Sequence, residues 1–171
     1  MHGKRSRRGV AVLLGAVCLV GCTGLPAAAV SPIVLGKAYT VDAAAVNSGR
    51  QLVLTAYQNV VPVNASMNFQ VGLPIGITHL GGDSSTCDSA TISETPPLPP
   101  FRSARDGGTI VYITASLPIG MPSCSFTINL TSVGGGTYTT CAADIVNFPG
   151  TVAPGCTSIR FATAHPARVP G

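Results

Sequence analysis

The chain contains no tryptophan. Aromatic residues make up only 5% of its 171 positions and charged residues only 9%. Without tryptophan, a sugar-stacking platform would have to rest on Tyr39, Tyr57, Tyr112 and Tyr138. Scarce charge, set against 46% hydrophobic residues, excludes an intrinsically disordered chain. No basic stretch interleaved with aromatics is present, so nucleic acid is not an expected partner. There is no C-x-x-C spacing, and His79 and His165 lie far apart without a second histidine nearby, so a zinc site and any other metal cofactor are not expected. No glycine-rich segment matches a phosphate or dinucleotide fingerprint. The carboxylates are scattered through turns, which leaves no pair for acid–base work. No cofactor is expected.

A long apolar run is also missing. Residues 1–9 carry Lys4, Arg5, Arg7 and Arg8, and the uncharged apolar run that follows, Val10 to Val20, is shorter than the ~20 residues that span a bilayer. Basic, then apolar, then small residues is the order of a secretory signal peptide. Ala27-Ala28-Ala29 fits an A-x-A cleavage site, giving a signal over 1–29. LVGC (19–22) resembles the lipobox of bacterial lipoproteins, in which case the signal ends at 21 and Cys22 carries the lipid. SRRG (6–9) resembles part of a twin-arginine signal. The expected location is outside the cell membrane, lipid-anchored through Cys22 or secreted.

Removing the signal changes the charge. The four basic residues of 1–9 leave six of the ten in the chain, against six acids, so the mature protein is neutral. Cys18 and Cys22 go with the signal or its lipid. Cys87, Cys124, Cys141 and Cys156 remain, and four cysteines in an exported chain read as two disulfides with three possible connectivities.

What the mature chain has in abundance is alternation. SMNFQVGL (66–73) sets Met67, Phe69, Val71 and Leu73 on one face, and CSFTINLT (124–131) does the same with Cys124, Phe126, Ile128 and Leu130. Period-2 patterning with hydroxyls outside predicts half-buried strands. Further strands are expected at 33–41, 51–58, 76–80, 108–117 and 136–146, separated by the turn clusters NSGR, LPIG, GGDSS, LPIGMPS and SVGGG. About seven short strands predict an all-β, immunoglobulin-like antiparallel β-sandwich over 30–147, stapled by disulfides. LPIG occurs at 73–76 and 117–120, as a shared strand-exit device. TPPLPPF (95–101) is expected to be an extended loop with Phe101 at its tip. The tail 148–171 shows little periodicity and is expected to lie outside the sandwich, partly disordered beyond Phe161.

GGDSSTC (81–87) is the one stretch that invites a catalytic reading. Gly82-Asp83-Ser84 resembles the nucleophile loop of chymotrypsin-like proteases and the opening motif of GDS-type esterases. Position 85 is Ser where the protease has Gly, His79 comes only four residues before Asp83, and no helices are available for the esterase fold. A serine hydrolase using Ser84 is therefore the remote reading, and no catalytic residue is assigned. Asn64-Ala65-Ser66 and Asn129-Leu130-Thr131 match the glycosylation sequon and are read as chance beside bacterial export signals.

The region from Gly49 to Val146 resembles the immunoglobulin-like repeat domains of unknown function found in bacterial surface and secreted proteins. The matching residues are FQVGLPIGI (69–77), STC (85–87), GGTI (107–110), SLPIGMPSCSFTINLTS (116–132) and GGTYTT (135–140). The chain departs from that pattern at Gly72, at Thr140 and at Cys141, which with Cys156 forms an addition of its own. The resemblance implies a non-catalytic module with a structural or adhesive role, and a cell-surface protein or glycan as partner. It also implies that GGDSSTC is a turn delivering Cys87 to Cys124. Cys141 then pairs with Cys156 across the Pro/Gly turn 148–155. A binding module for a small apolar ligand or glycan is the alternative, to be recognised by a pocket lined with Tyr or Phe.

Overall fold

The structure is a computed structural model that describes residues 33–58, 64–96 and 108–163. The signal region with Cys22, residues 97–107 with Phe101, and the chain beyond 163 lie outside the described residues.

Among the described residues, thirteen strands follow in chain order. They are β1 (Ile33–Tyr39), β2 (Ala43–Ala45), β3 (Arg50–Gln58), β4 (Ala65–Gly72), β5 (Ile77–His79), β6 (Ser84–Ser85), β7 (Asp88–Ser93), β8 (Ile110–Leu117), β9 (Ser123–Ser132), β10 (Gly136–Cys141), β11 (Ile145–Val146), β12 (Thr151–Val152) and β13 (Cys156–Ala162). A short 3-10 turn, Ala142–Asp144, separates β10 from β11. One sheet runs β12-β1-β3-β9-β5, with β6 also on β9; a second runs β11-β4-β8-β7, and a third β10-β13-β2.

The alternation in the sequence decides which faces meet. Phe126, Ile128 and Leu130 of β9 and Phe69 and Val71 of β4 are fully buried. The rings of Phe69 and Phe126 meet edge-on across the layers at 5.6 Å, and Phe148 meets Phe69 from another side at 5.2 Å. Such pairs add about 0.5–1.5 kcal/mol to the burial itself. The third sheet adds Ile159 and Phe161, both buried in the same core cluster. The six-stranded sheet thus covers both smaller sheets, and the all-β sandwich stands.

Two expectations need correction. The segment after 147 is no tail as far as Ala162. β12 pairs in parallel with β1, and β13 pairs with β10 and, in parallel, with β2. TSIRFA (157–162) alternates with its apolar members Ile159 and Phe161 inward, too brief a signal beside the Pro/Gly-rich flanks. The expected strand 136–146 is also two strands, because the 3-10 turn carries the chain from the third sheet to the second.

Both LPIG segments do the same job. Each leaves a strand of the second sheet (β4 or β8) and enters one of the first (β5 or β9). Leu73 and Leu117 are buried, whereas Ile75 and Ile119 are 65% and 66% exposed. The following amide closes the turn, Ile77 N–H to the Pro74 carbonyl and Met121 N–H to the Pro118 carbonyl. Gly76 and Gly120 have φ of +89° and +90°, as the third position of a type II turn requires.

Candidate functional site

GGDSS sits on the free side of β9. β5 pairs His79 with Leu130, and β6 pairs Ser84 with Thr127. Residues 80–83 therefore oppose only 128 and 129: β5 and β6 are one edge strand interrupted by a bulge. Gly81 and Gly82 form it with φ of +70° and +68°. The Asn129 side-chain amide donates to both their carbonyls, at 3.3 and 2.7 Å, and the Asn129 backbone N–H donates to Asp83 Oδ1 at 2.8 Å. A bulge of this kind also blunts an exposed edge.

The same register decides the question of Ser84. Residues directly opposite in an antiparallel ladder share a face. His79 faces Leu130, a core-side position, and Ser84 faces Thr127, on the solvent side. The two side chains start from opposite faces of the sheet. Moreover, both ring nitrogens of His79 are taken: Nε2 lies 2.6 Å from Asp83 Oδ2, and Nδ1 lies 2.9 Å from Glu94 Oε1. Ser84 and His79 thus do not face one another as the nucleophile and base of a triad must.

His79 joins two layers. It belongs to β5 in the six-stranded sheet, and Glu94 directly follows β7 in the second sheet. The His79 and Asp83 side chains are 7% and 6% exposed, the Glu94 side chain 53%. Between β6 and β7 lies a groove of about 330 Å³, lined by His79, Gly81, Gly82, Asp83, Ser84, Ser85, Ala90 and Ile92. Its lining holds no Tyr or Phe, the feature that was to mark an apolar-ligand or glycan pocket. Among the described residues, no group of three or more His, Cys, Asp or Glu side chains could hold a metal ion.

The structure brings the four cysteines together as two pairs, Cys87–Cys124 and Cys141–Cys156. Cys141 and Cys156 are directly opposite in the β10–β13 ladder. Cys87 prolongs the register of β6, in which Ser85 faces Phe126, and so reaches Cys124. Ser85 Oγ accepts the Cys87 N–H at 3.0 Å and donates to the Ser125 carbonyl at 2.9 Å. The two sequon asparagines are used internally: Asn129 holds the bulge, and Asn64 Oδ1 accepts the Ile119 N–H at 2.9 Å.

Two side chains that matter were not singled out from the sequence. Glu94 carries no signal, since nothing places it beside His79 until β7 is laid against β8. Ser132 could have been found: it continues the inward series 124, 126, 128 and 130, and a hydroxyl at a core position asks for partners. Its Oγ lies 2.8 Å from the Gly76 carbonyl, 2.9 Å from the Gly134 carbonyl and 2.8 Å from the Tyr138 hydroxyl.

No family model matches the chain, and neither does any curated protein. Among solved structures, the seventh ScaB type I cohesin from Pseudobacteroides cellulosolvens matches with a TM-score of 0.53 and 8% identity, over 80% of this chain and 97% of that one. The fold is similar to a cohesin's. A non-cellulosomal cohesin from the hyperthermophilic archaeon Archaeoglobus fulgidus matches with a TM-score of 0.49 and 12% identity, covering 79% of this chain and 93% of its own. BslA, a bacterial hydrophobin, matches at 0.38 and 18%, covering 80% and 98%. At such identities the cohesin-like fold is what is shared, and the site residues described above stand on their own geometry.

Proposed function

We propose that the chain is an exported, non-catalytic, cohesin-like β-sandwich that works by binding or adhesion to a protein. The observation that carries this reading is the solvent face of the six-stranded sheet. There β3 contributes Gln51, Val53, Thr55 and Tyr57, and β9 contributes Ser125, Thr127 and Asn129, with no charged side chain among them. Tyr57 is 38% exposed. A continuous, hydrogen-bonding and uncharged strand surface suits a protein partner. The opposite faces taken by His79 and Ser84 support a non-catalytic reading.

Export is supported by the order of residues in 1–29 and by disulfides, which persist in oxidising compartments. The anchoring proposal is that Cys22 is lipidated, with cleavage after Ala29 as the alternative. Fractionation with intact mass tests it: Cys22→Ala should release the protein or leave it as precursor, and unchanged soluble secretion with Val30 first would establish the other route. For the binding face, a photo-crosslinking residue is placed at Thr127 and, as control, at Asn68 on the exposed side of β4. Protein adducts on intact cells at 127 alone are expected. Equal labelling at both positions, or none, would refute the reading.

A further inference from the structure

We propose that His79 is a proton-dependent latch between the two layers of the sandwich. With two ring protons it holds both Asp83 and Glu94; with one it keeps Asp83 and releases Glu94, freeing the end of β7 from the opposite layer.

The argument begins with donors and acceptors. A carboxylate only accepts, so two carboxylates facing the two nitrogens of one imidazole require an N–H on each. A neutral ring has a single N–H, and its other nitrogen then turns a lone pair on a carboxylate. One contact must open, and the surroundings decide which. Asp83 is 6% exposed, and its second oxygen is held by the Asn129 backbone N–H at 2.8 Å. Glu94 is 53% exposed, its contact with His79 is 2.9 Å, and water can take that place. Glu94 is the arm that moves.

Among the described residues, the ion pairs of the ring are those with Asp83 and Glu94. β9 presents Leu130 and Asn129, which do not titrate. Arg50 lies one strand further along the same ladder row, opposite Leu130, and its Nη1 donates to the Gly49 carbonyl at 2.7 Å. On β7 the other acid, Asp88, pairs with Ser116 at the far end of the strand. β7 itself is an edge strand with a register shift between Asp88 and Thr91, held by β8 on one side. The Cys87–Cys124 disulfide ties the chain just before β7 to the opposite layer, and the His79–Glu94 contact ties the residue just after it.

The experiment is a nitrogen-15 NMR titration of the full mature chain that follows the His79 ring and the backbone amides together. Expected are two ring protons on His79 at the acid end. As one is lost, the backbone amides of Ile92 to Thr95 should shift in step with the ring and lose about two- to fivefold in exchange protection, the scale of an exposed ion pair. In Glu94→Gln the amides of 92–95 should stop responding, while those of Gly81 to Ser85 continue to follow the ring. A response at 92–95 that survives Glu94→Gln, or no response there in the unaltered chain, would overturn the latch.

Discussion

The hydroxyls of Tyr39 and Thr140 meet at 2.8 Å inside the sandwich, joining β1 of the six-stranded sheet to β10 of the third. Tyr39 is 8% exposed and Thr140 not at all. Burial holds the Tyr39 phenol above its ordinary value of 10.0; the Thr140 bond acts in the opposite direction, and the charge of Asp144 adds a further rise.

That burial makes alkaline stability a test of the packing. Below about pH 10 neither the folded nor the unfolded phenol is ionised, so the contribution is fully present. Above it the unfolded chain loses its proton first, and stability falls as pH climbs towards the folded value. Tyr39→Phe should remove this part of the alkaline loss. It should also cost about 1 kcal/mol at neutral pH, because Thr140 loses its partner. Denaturant unfolding at pH 7 and above pH 10, on both proteins, checks both signs.

The two disulfides should differ in weight. Their sequence separations are 37 and 15, for which the loop-entropy relation gives about 4 and about 3 kcal/mol. Cys87→Ala with Cys124→Ala should therefore lower stability more than Cys141→Ala with Cys156→Ala. In the second variant β13 keeps its ladder with β10 and its buried Ile159 and Phe161, so proteolysis should not release the C-terminal segment from the folded protein. Non-reducing peptide mapping and thermal melts of the two double variants decide the order.

Where the chain may be shortened is sharply defined. Truncation after Thr163 keeps β12 and β13 and should preserve cooperative unfolding. Truncation after Asn147 removes β12 and β13 and should abolish cooperative unfolding. Phe161→Ala alone should cost about 3–5 kcal/mol, as for other buried phenylalanines. Calorimetry on the three variants is sufficient.

How far the sequence disclosed this architecture depends on the length of each pattern. β4 and β9 alternate over eight or more residues and were legible, as were the paired LPIG turns. β13 offers only two apolar residues in alternation, and its burial depends on β1 and β2 more than a hundred residues earlier. Asp83 and Ser84 stood out as a motif, yet their roles follow from the two-residue bulge, which fixes the face each side chain takes. Glu94 was invisible because its meeting with His79 is a product of tertiary packing.

The two LPIG turns provide a matched comparison. Gly76→Ala and Gly120→Ala both force an L residue into left-handed backbone, at about 1–2 kcal/mol. A Cβ at 120 meets nothing within 4 Å, whereas one at 76 lies 3.0 Å from the Tyr138 ring. That ring is fixed by its hydroxyl bond to Ser132, so Gly76→Ala should be the more damaging by about 1 kcal/mol or more. Equal melting temperatures for the two variants would contradict the rigidity assigned to Ser132 and Tyr138.

The parallel pairings impose an order on how the chain can fold. Val34 waits for Thr151, and Ala43 for Arg160, before their strands have neighbours on those sides. A polypeptide emerging amino end first, from a ribosome or through a translocation pore, cannot complete its sandwich until nearly all of it is out. Closure over such separations is slow. The first strands made therefore keep open edges until the last are in place, and the sandwich closes from its two ends at once.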